Sequence, residues 1–259
     1  MIVLVHAVVS LGMLIVVPLG LTLLPTRTTS TRWWFAFAVP GAVALWLPRG
    51  AVSIVLASVY FAGTLVLIAL AARHFFQHRT VSTRQVALYT ALATPSIAAL
   101  ALVAERSSYE LFGFNLTVLS LTVAHFHFAG FAAALMAYLA ADGLAAVSVP
   151  LGTAIVLLGF FVGDPVELVG AVVLTAGMWL VGWNLWKRSQ RADRTTAILL
   201  TVSGSVLVLT MLLAVSWALG HVVDTPYLPL EWMVATHGVA NAVGFALCGV
   251  LAMRREGAR

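Results

Sequence analysis

The feature that most constrains this chain is the spacing of its charges. Between them lie long apolar runs, and an α-helix needs about 17 to 25 apolar residues to cross the ~30 Å hydrocarbon core of a bilayer. Nine runs can be read, at 2–24, 33–48, 51–73, 85–104, 116–140, 146–163, 165–187, 197–220 and 230–252. The second is short and holds Pro40, and only Gly163, Asp164 and Pro165 separate the sixth from the seventh. A soluble domain carries about 25% charged residues, whereas this chain has 9%, with 62% hydrophobic. The expected fold is all-α: a polytopic transmembrane helical bundle of about nine spans forming a single domain, 1–259. The opening stretch MIVLVHAVVSLGMLIVVPLGLTLL has no basic n-region and outruns a typical signal-peptide core, so it is expected to be a retained first helix.

The basic residues test this count. Nine spans put the two termini on opposite sides. Twelve of the 14 basic residues then share the C-terminal side: Arg27 and Arg32; Arg73, Arg79 and Arg84; Lys187, Arg188, Arg191 and Arg194; Arg254, Arg255 and Arg259. Only Arg49 and Arg106 fall opposite. The positive-inside rule therefore places the C-terminus in the cytoplasm and the N-terminus outside. Trp33, Trp34, Trp183 and Trp186 fall near cytoplasmic ends, and Trp46 and Trp232 near outer ends, as interfacial anchors do. The net charge of +5 is thus accounted for by topology and contact with anionic lipid, and no nucleic-acid partner is expected. The single cysteine, Cys248, lies in an apolar run and excludes a disulfide framework.

The same threading sorts the polar residues. His6, His125, His127, His221 and His237 fall toward the outer side, with Glu105, Glu110, Asp164, Glu167, Asp224 and Glu231. His74 and His78 fall in a cytoplasmic loop. Ionisable groups inside a membrane are costly and commonly functional. His125 and His127 sit in LTVAHFHFAGFAAAL. Two positions apart on a regular helix is about 200°, so they serve opposite faces unless the helix is distorted near Gly130. In EWMVATHGVANAVGFALCG, His237 and Asn241 are four apart and share a face, and Gly238 is expected to leave room for close approach of another helix or a ligand. For each histidine, a structural role as interhelical glue competes with acid–base or ligand chemistry.

The acids divide similarly. Asp164, Pro165 and Glu167 read as a capping box, Glu231 as a first-turn acid after Pro229, and Asn115 as a helix cap. Glu105 ends the fourth span, where a carboxylate opposes the helix dipole, so it is expected to pair with Arg106 or to enter an outer-facing cavity. No Walker motif, dinucleotide fingerprint, zinc spacing or nucleophile elbow is present.

The two histidine segments, with LGMLIVVPLGL in the first span, resemble the YndJ-like bacterial membrane proteins. The resemblance implies a multi-span protein and draws attention to His125, His127, His237 and Asn241. It assigns no reaction. The expected function is a membrane-embedded enzyme acting on a lipophilic small molecule, of natural-product or lipid type, by acid–base cyclisation or isomerisation in an outer-half cavity. His125, His127, His237, Glu105 and Glu231 are its candidate catalytic residues, and Asn241, His6 and Trp232 its candidate substrate contacts. No metal and no cofactor are expected. The alternatives are a histidine-ligated metal or haem redox protein, which needs three or more convergent histidines, and a non-catalytic transporter, sensor or assembly factor. Transport is disfavoured because the two histidine segments do not align as an inverted repeat.

Overall fold

The structure is a computed structural model that describes residues 1–24, 31–79 and 81–257; Arg27 and Arg259, used above for topology, lie outside them. The long elements are all helices: α1 (Ile2–Leu21), α2 (Arg32–Trp46), α3 (Ala51–His78), α4 (Thr83–Arg106), α5 (Leu116–Ala140), α6 (Gly143–Val162), α7 (Asp164–Ser189), α8 (Arg194–Val222) and α9 (Leu230–Gly257). Eight of them are long and apolar enough to cross a membrane. The exception is α2, whose 15 residues reach about 22 Å at 1.5 Å per residue, short of the ~30 Å core. Large apolar side chains such as Val52, Leu158 and Leu209 are exposed on the helix flanks, as in a protein surrounded by lipid. The chain is an all-helical, multi-pass membrane protein.

Local chemistry sets the helix ends. Asn115 Oδ1 accepts from the Val118 amide at 3.0 Å and caps α5, as its sequence position predicts. Asp193 does the same for α8. Ser82 and Gln85 form a reciprocal capping box at the start of α4. The box expected at Asp164 is not formed. The cap of α7 is Gly163, whose φ of 135° suits glycine, and Asp164 and Glu167 instead stand in the first turn, where the helix dipole favours them.

Contacts divide the chain into two compact units. The first comprises Ile2–Thr80 and Tyr89–Ala132; the second comprises Val81–Leu88 and Ala133–Arg259, with Met1. In the first unit, α2 and α3 meet through glycine. A Cβ on Gly41 would lie 2.6 Å from the Tyr60 Cβ, and one on Gly63 2.4 Å from the Phe37 Cβ. Position numbers rise on one helix as they fall on the other, so the pair is antiparallel. In the second unit, α6 and α7 pack the same way. Added Cβ atoms at Gly152, Gly159 and Gly170 would each come within 2.5 Å of backbone at Leu174, Glu167 and Val156 respectively. Gly182 on α7 and Gly204 on α8 oppose each other directly. Lipid tails leave no hydrophobic drive between helices, so small residues that let backbones approach supply the packing. Gly238 does not serve this purpose: its nearest atom is Met233 O at 3.9 Å. Gly244 does, with Val206 Cγ2 at 2.7 Å.

Three helices contain π-helical turns, at Gly12–Val16 in α1, Phe126–Ala132 in α5, and Val234–Gly238 with Ala240–Leu247 in α9. A π-turn bonds i to i+5 and so inserts an extra residue, and such turns recur at functional sites. In α1 the cause can be traced. The Val17 amide reaches back to Gly12 O, and Pro18 has no N–H to offer, so Met13 O lacks a helical donor. The Trp34 indole supplies one at 2.8 Å.

Candidate functional site

In the first unit, His127 lies about three turns into α5 and is wholly buried. Its Nδ1 is 2.6 Å from Val123 O, four residues back in the same helix, and its Nε2 is 2.6 Å from the Tyr60 hydroxyl. A carbonyl only accepts, so in the neutral ring Nδ1 carries the proton and Nε2 accepts from Tyr60. Trp34 packs edge-on to Tyr60 at 5.7 Å, and Gly12 leaves the space that the His127 ring occupies. Trp34, Tyr60 and His127 are all 0% exposed. This is a closed polar core inside apolar packing, with each polar atom of the two rings' contact satisfied. His125 is only half-buried and meets Phe126 edge-on at 5.7 Å. The two histidines therefore have different neighbours, and the helix between them is widened by the π-turn around Gly130.

Glu105 ends α4 in the same unit and is 1% exposed. Arg106 donates from Nε to Oε2 and from Nη2 to Oε1, and Arg49 donates from Nε and Nη2 to Oε1 at 3.0 and 2.7 Å. The remaining nitrogen of Arg106, Nη1, donates to the carbonyls of Ala44, Leu45 and Leu47 at 3.1–3.3 Å, which satisfies the C-terminus of α2. Both carboxylate oxygens are thus engaged by guanidinium N–H groups, which leaves neither placed to carry a transferable proton. His6 stands in reach of these three charges, its ring edge-on to Trp46 at 5.5 Å, and its Nε2 is buried with no hydrogen-bond partner among the described residues.

The second unit holds the other segment. His237 Nδ1 is 2.7 Å from Thr210 O on α8. The same donor logic puts the proton on Nδ1 and the lone pair on Nε2; the Asn241 amide nitrogen lies 3.3 Å from Nε2 and 3.4 Å from Nδ1, against the ring rather than in line with either nitrogen. Thr210 Oγ1 then donates to Asn241 Oδ1 at 2.9 Å, sharing its single proton with Val206 O at 3.0 Å. Thr210, His237 and Asn241 form a closed ring of hydrogen bonds joining α8 to α9. His237 and Asn241 are half-buried, unlike His127. Glu231 and Trp232 project exposed from the first turn of α9, Trp232 at 61%.

The structure therefore brings His237 together with Asn241 in one unit, and in the other it sets His6 against Trp46, within electrostatic range of the Glu105 cluster but not bonded to it. His127 instead joins Tyr60. Sequence reasoning passed over Tyr60, Arg49 and Thr210, which complete these groups. No sharp signal marked them, because other hydroxyls share each apolar run, Ser58 beside Tyr60 and Ser205 upstream of Thr210. Among the described residues, no three His, Cys, Asp or Glu side chains are placed to hold one metal ion.

A protein-family model described as YndJ-like protein matches residues 7–245. No curated protein and no solved structure matched the chain.

Proposed function

The chain belongs to the YndJ-like family, and we propose that it is a membrane-embedded enzyme in which His237 carries protons for a lipophilic substrate. The observation that carries this is the 2.7 Å bond from His237 Nδ1 to Thr210 O. Pinning Nδ1–H to a carbonyl fixes the tautomer and aims Nε2 as a base, the arrangement that orients catalytic and ligating histidines generally. His237 keeps part of its surface exposed, whereas His127 is wholly buried, so a substrate has an approach to the residue that His127 does not offer. Asn241, whose amide nitrogen lies 3.3 Å from Nε2 and 3.4 Å from Nδ1, does not fill the Nε2 lone-pair direction, and its amide turns to the oxygen of a substrate hydroxyl bound there. Nε2 takes a proton from one substrate atom and returns it to another, which is the chemistry of an isomerisation or cyclisation. Glu105 is not part of this reading, because its oxygens are already engaged.

The proposed setting is a bacterial cytoplasmic membrane crossed nine times, with the N-terminus outside. Counting α2 as a span leaves Arg49 and Arg106 as the only basic residues on the outer side. Omitting it would add Arg27 and Arg32 to them. The Arg106 bonds to the end of α2 support the longer count, because they tie the end of α2 to the end of α4.

The closed Thr210–His237–Asn241 ring favours a second reading, in which the three residues only clamp α8 to α9. The test compares lipid extracts of cells making the native protein or His237→Gln, by mass spectrometry, beside thermal melts of both. A species altered by the native protein and restored in the variant, at an unchanged melting temperature, supports catalysis. Loss of a general base typically slows turnover about 10²- to 10⁴-fold. Identical extracts, with a lowered melting temperature in the variant, refute it in favour of the clamp.

A further inference from the structure

His74 and His78 stand on the last turns of α3, not in a loop. Their rings stack at 4.2 Å with planes 22° apart, the geometry of neighbours at i and i+4. His78 Nδ1 lies 2.9 Å from His74 O. That carbonyl only accepts, so the proton is on Nδ1 and the lone pair on Nε2. His74 Nδ1 lies 3.2 Å from the Tyr89 hydroxyl, which can accept from it and leave a second Nε2 lone pair. His78 is exposed and His74 half-buried, so the pair is open to solution.

We propose that His74 and His78 clamp one divalent transition-metal ion through their Nε2 atoms, the stacked rings splaying on the exposed helix end so that both lone pairs meet the ion, with water completing its coordination. The donor set selects the metal class. Imidazole nitrogen suits copper, nickel and zinc, whereas magnesium and calcium require oxygen. The surroundings match those of ligating histidines, which almost always donate their second N–H to a carbonyl or another outer partner. His74 O plays that part for His78, and Tyr89 plays it for His74. The site also lies at a helix C-terminus, whose partial negative charge favours a cation. Arg73 and Arg79 beside it oppose a cation, so the affinity is moderate rather than tight. This clamp is independent of the His237 reading: it lies in the other unit and needs neither substrate nor turnover.

The experiment titrates tag-free, detergent-solubilised protein with Cu²⁺, the tightest-binding ion of the first-row series, and follows bound copper by equilibrium dialysis and electron paramagnetic resonance. The native chain is expected to bind one Cu²⁺ with nitrogen ligation. His74→Gln and His78→Gln should each weaken it at least about tenfold, and Tyr89→Phe should weaken it by about the 10- to 100-fold typical of an outer partner. Because the histidines are at the surface, metal-free melts of the variants should match the native one. A double variant, His74→Gln with His78→Gln, that binds copper as tightly as the native chain would overturn the proposal. So would a native chain that gives no nitrogen-ligated signal.

Discussion

The Arg49–Glu105–Arg106 cluster makes a quantitative prediction, because its two arginines hold the same carboxylate from different environments. Arg106 is 4% exposed and Arg49 43%. Replacing Arg106 with Met leaves a carboxylate that is 1% exposed with one solvent-screened partner, and strips the donor from three carbonyls at the end of α2. Breaking a buried pair from one side costs about 3–5 kcal/mol. Replacing Arg49 with Met removes a pair screened by solvent, worth about 0–1 kcal/mol, while Glu105 keeps Arg106. The two variants should therefore differ by about 2–5 kcal/mol, measured by denaturation in mixed micelles followed by circular dichroism. Glu105→Ala should fall in the higher range, since it strands the buried guanidinium. Combining it with Arg106→Met should cost clearly less than the sum, because no unpaired buried charge remains. Equal losses for Arg49→Met and Arg106→Met, or additive losses in the double variant, would refute the assignment of the cluster as a buried, asymmetric ion network.

Other variants probe the packing and the threading. Tyr60→Phe removes the donor to His127 Nε2, and should cost about 0.6–1.7 kcal/mol on the scale of measured interhelical hydrogen bonds in membranes; no loss in the same denaturation assay would mean that the bond is not formed. Gly170→Val should destabilise by about 1–3 kcal/mol or prevent folding, because its Cβ would meet Val156 N at 2.5 Å. Gly238→Ala, with nothing nearer than 3.9 Å, should be neutral or gain up to about 1 kcal/mol; similar melts for the two glycine variants would count against the α6–α7 seam. Reporter fusions should read cytoplasmic at Arg32 and at Arg191, and an outer signal at Arg32 would remove α2 from the spans.

The helices were legible because length and apolarity alone decide them: a run such as 116–140 has one way to satisfy its backbone in lipid. Asn115 as a cap and Glu105 beside Arg106 were legible for a similar reason, since their partners are sequence neighbours. The polar groups were harder. His127 meets Tyr60 and His237 meets Thr210 across 67 and 27 positions, and no periodicity reports which helix lies alongside. Gly238 was read as leaving room for another helix or a ligand; the space beside it is open and no helix takes it, whereas Gly244 meets Val206. The Asp164 capping box failed by one residue, because Gly163 alone tolerates the backbone angle that starts α7 there.

One relation ties the sequence signature to the architecture. The three stretches that carry the family resemblance are those in which the helix loosens into π-turns. Loosening shifts register and disturbs the regular pairing of carbonyls, which must find donors when no water is at hand. Each stretch has a carbonyl in or beside it met by a side chain: Met13 O by the Trp34 indole, Val123 O by the His127 ring, Phe245 O by the Ser203 hydroxyl. These bonds compensate for distorted backbone and at the same time orient aromatic, imidazole and hydroxyl groups inside apolar packing. In the first unit the result is the sealed Tyr60–His127 contact. In the second, Ser203 meets the π-stretch carbonyl, and His237, pinned through Nδ1 to Thr210 O on α8, stays partly exposed with Asn241 against its ring. The difference in enclosure, more than the identity of the residues, is why chemistry is assigned to His237 and scaffolding to His127.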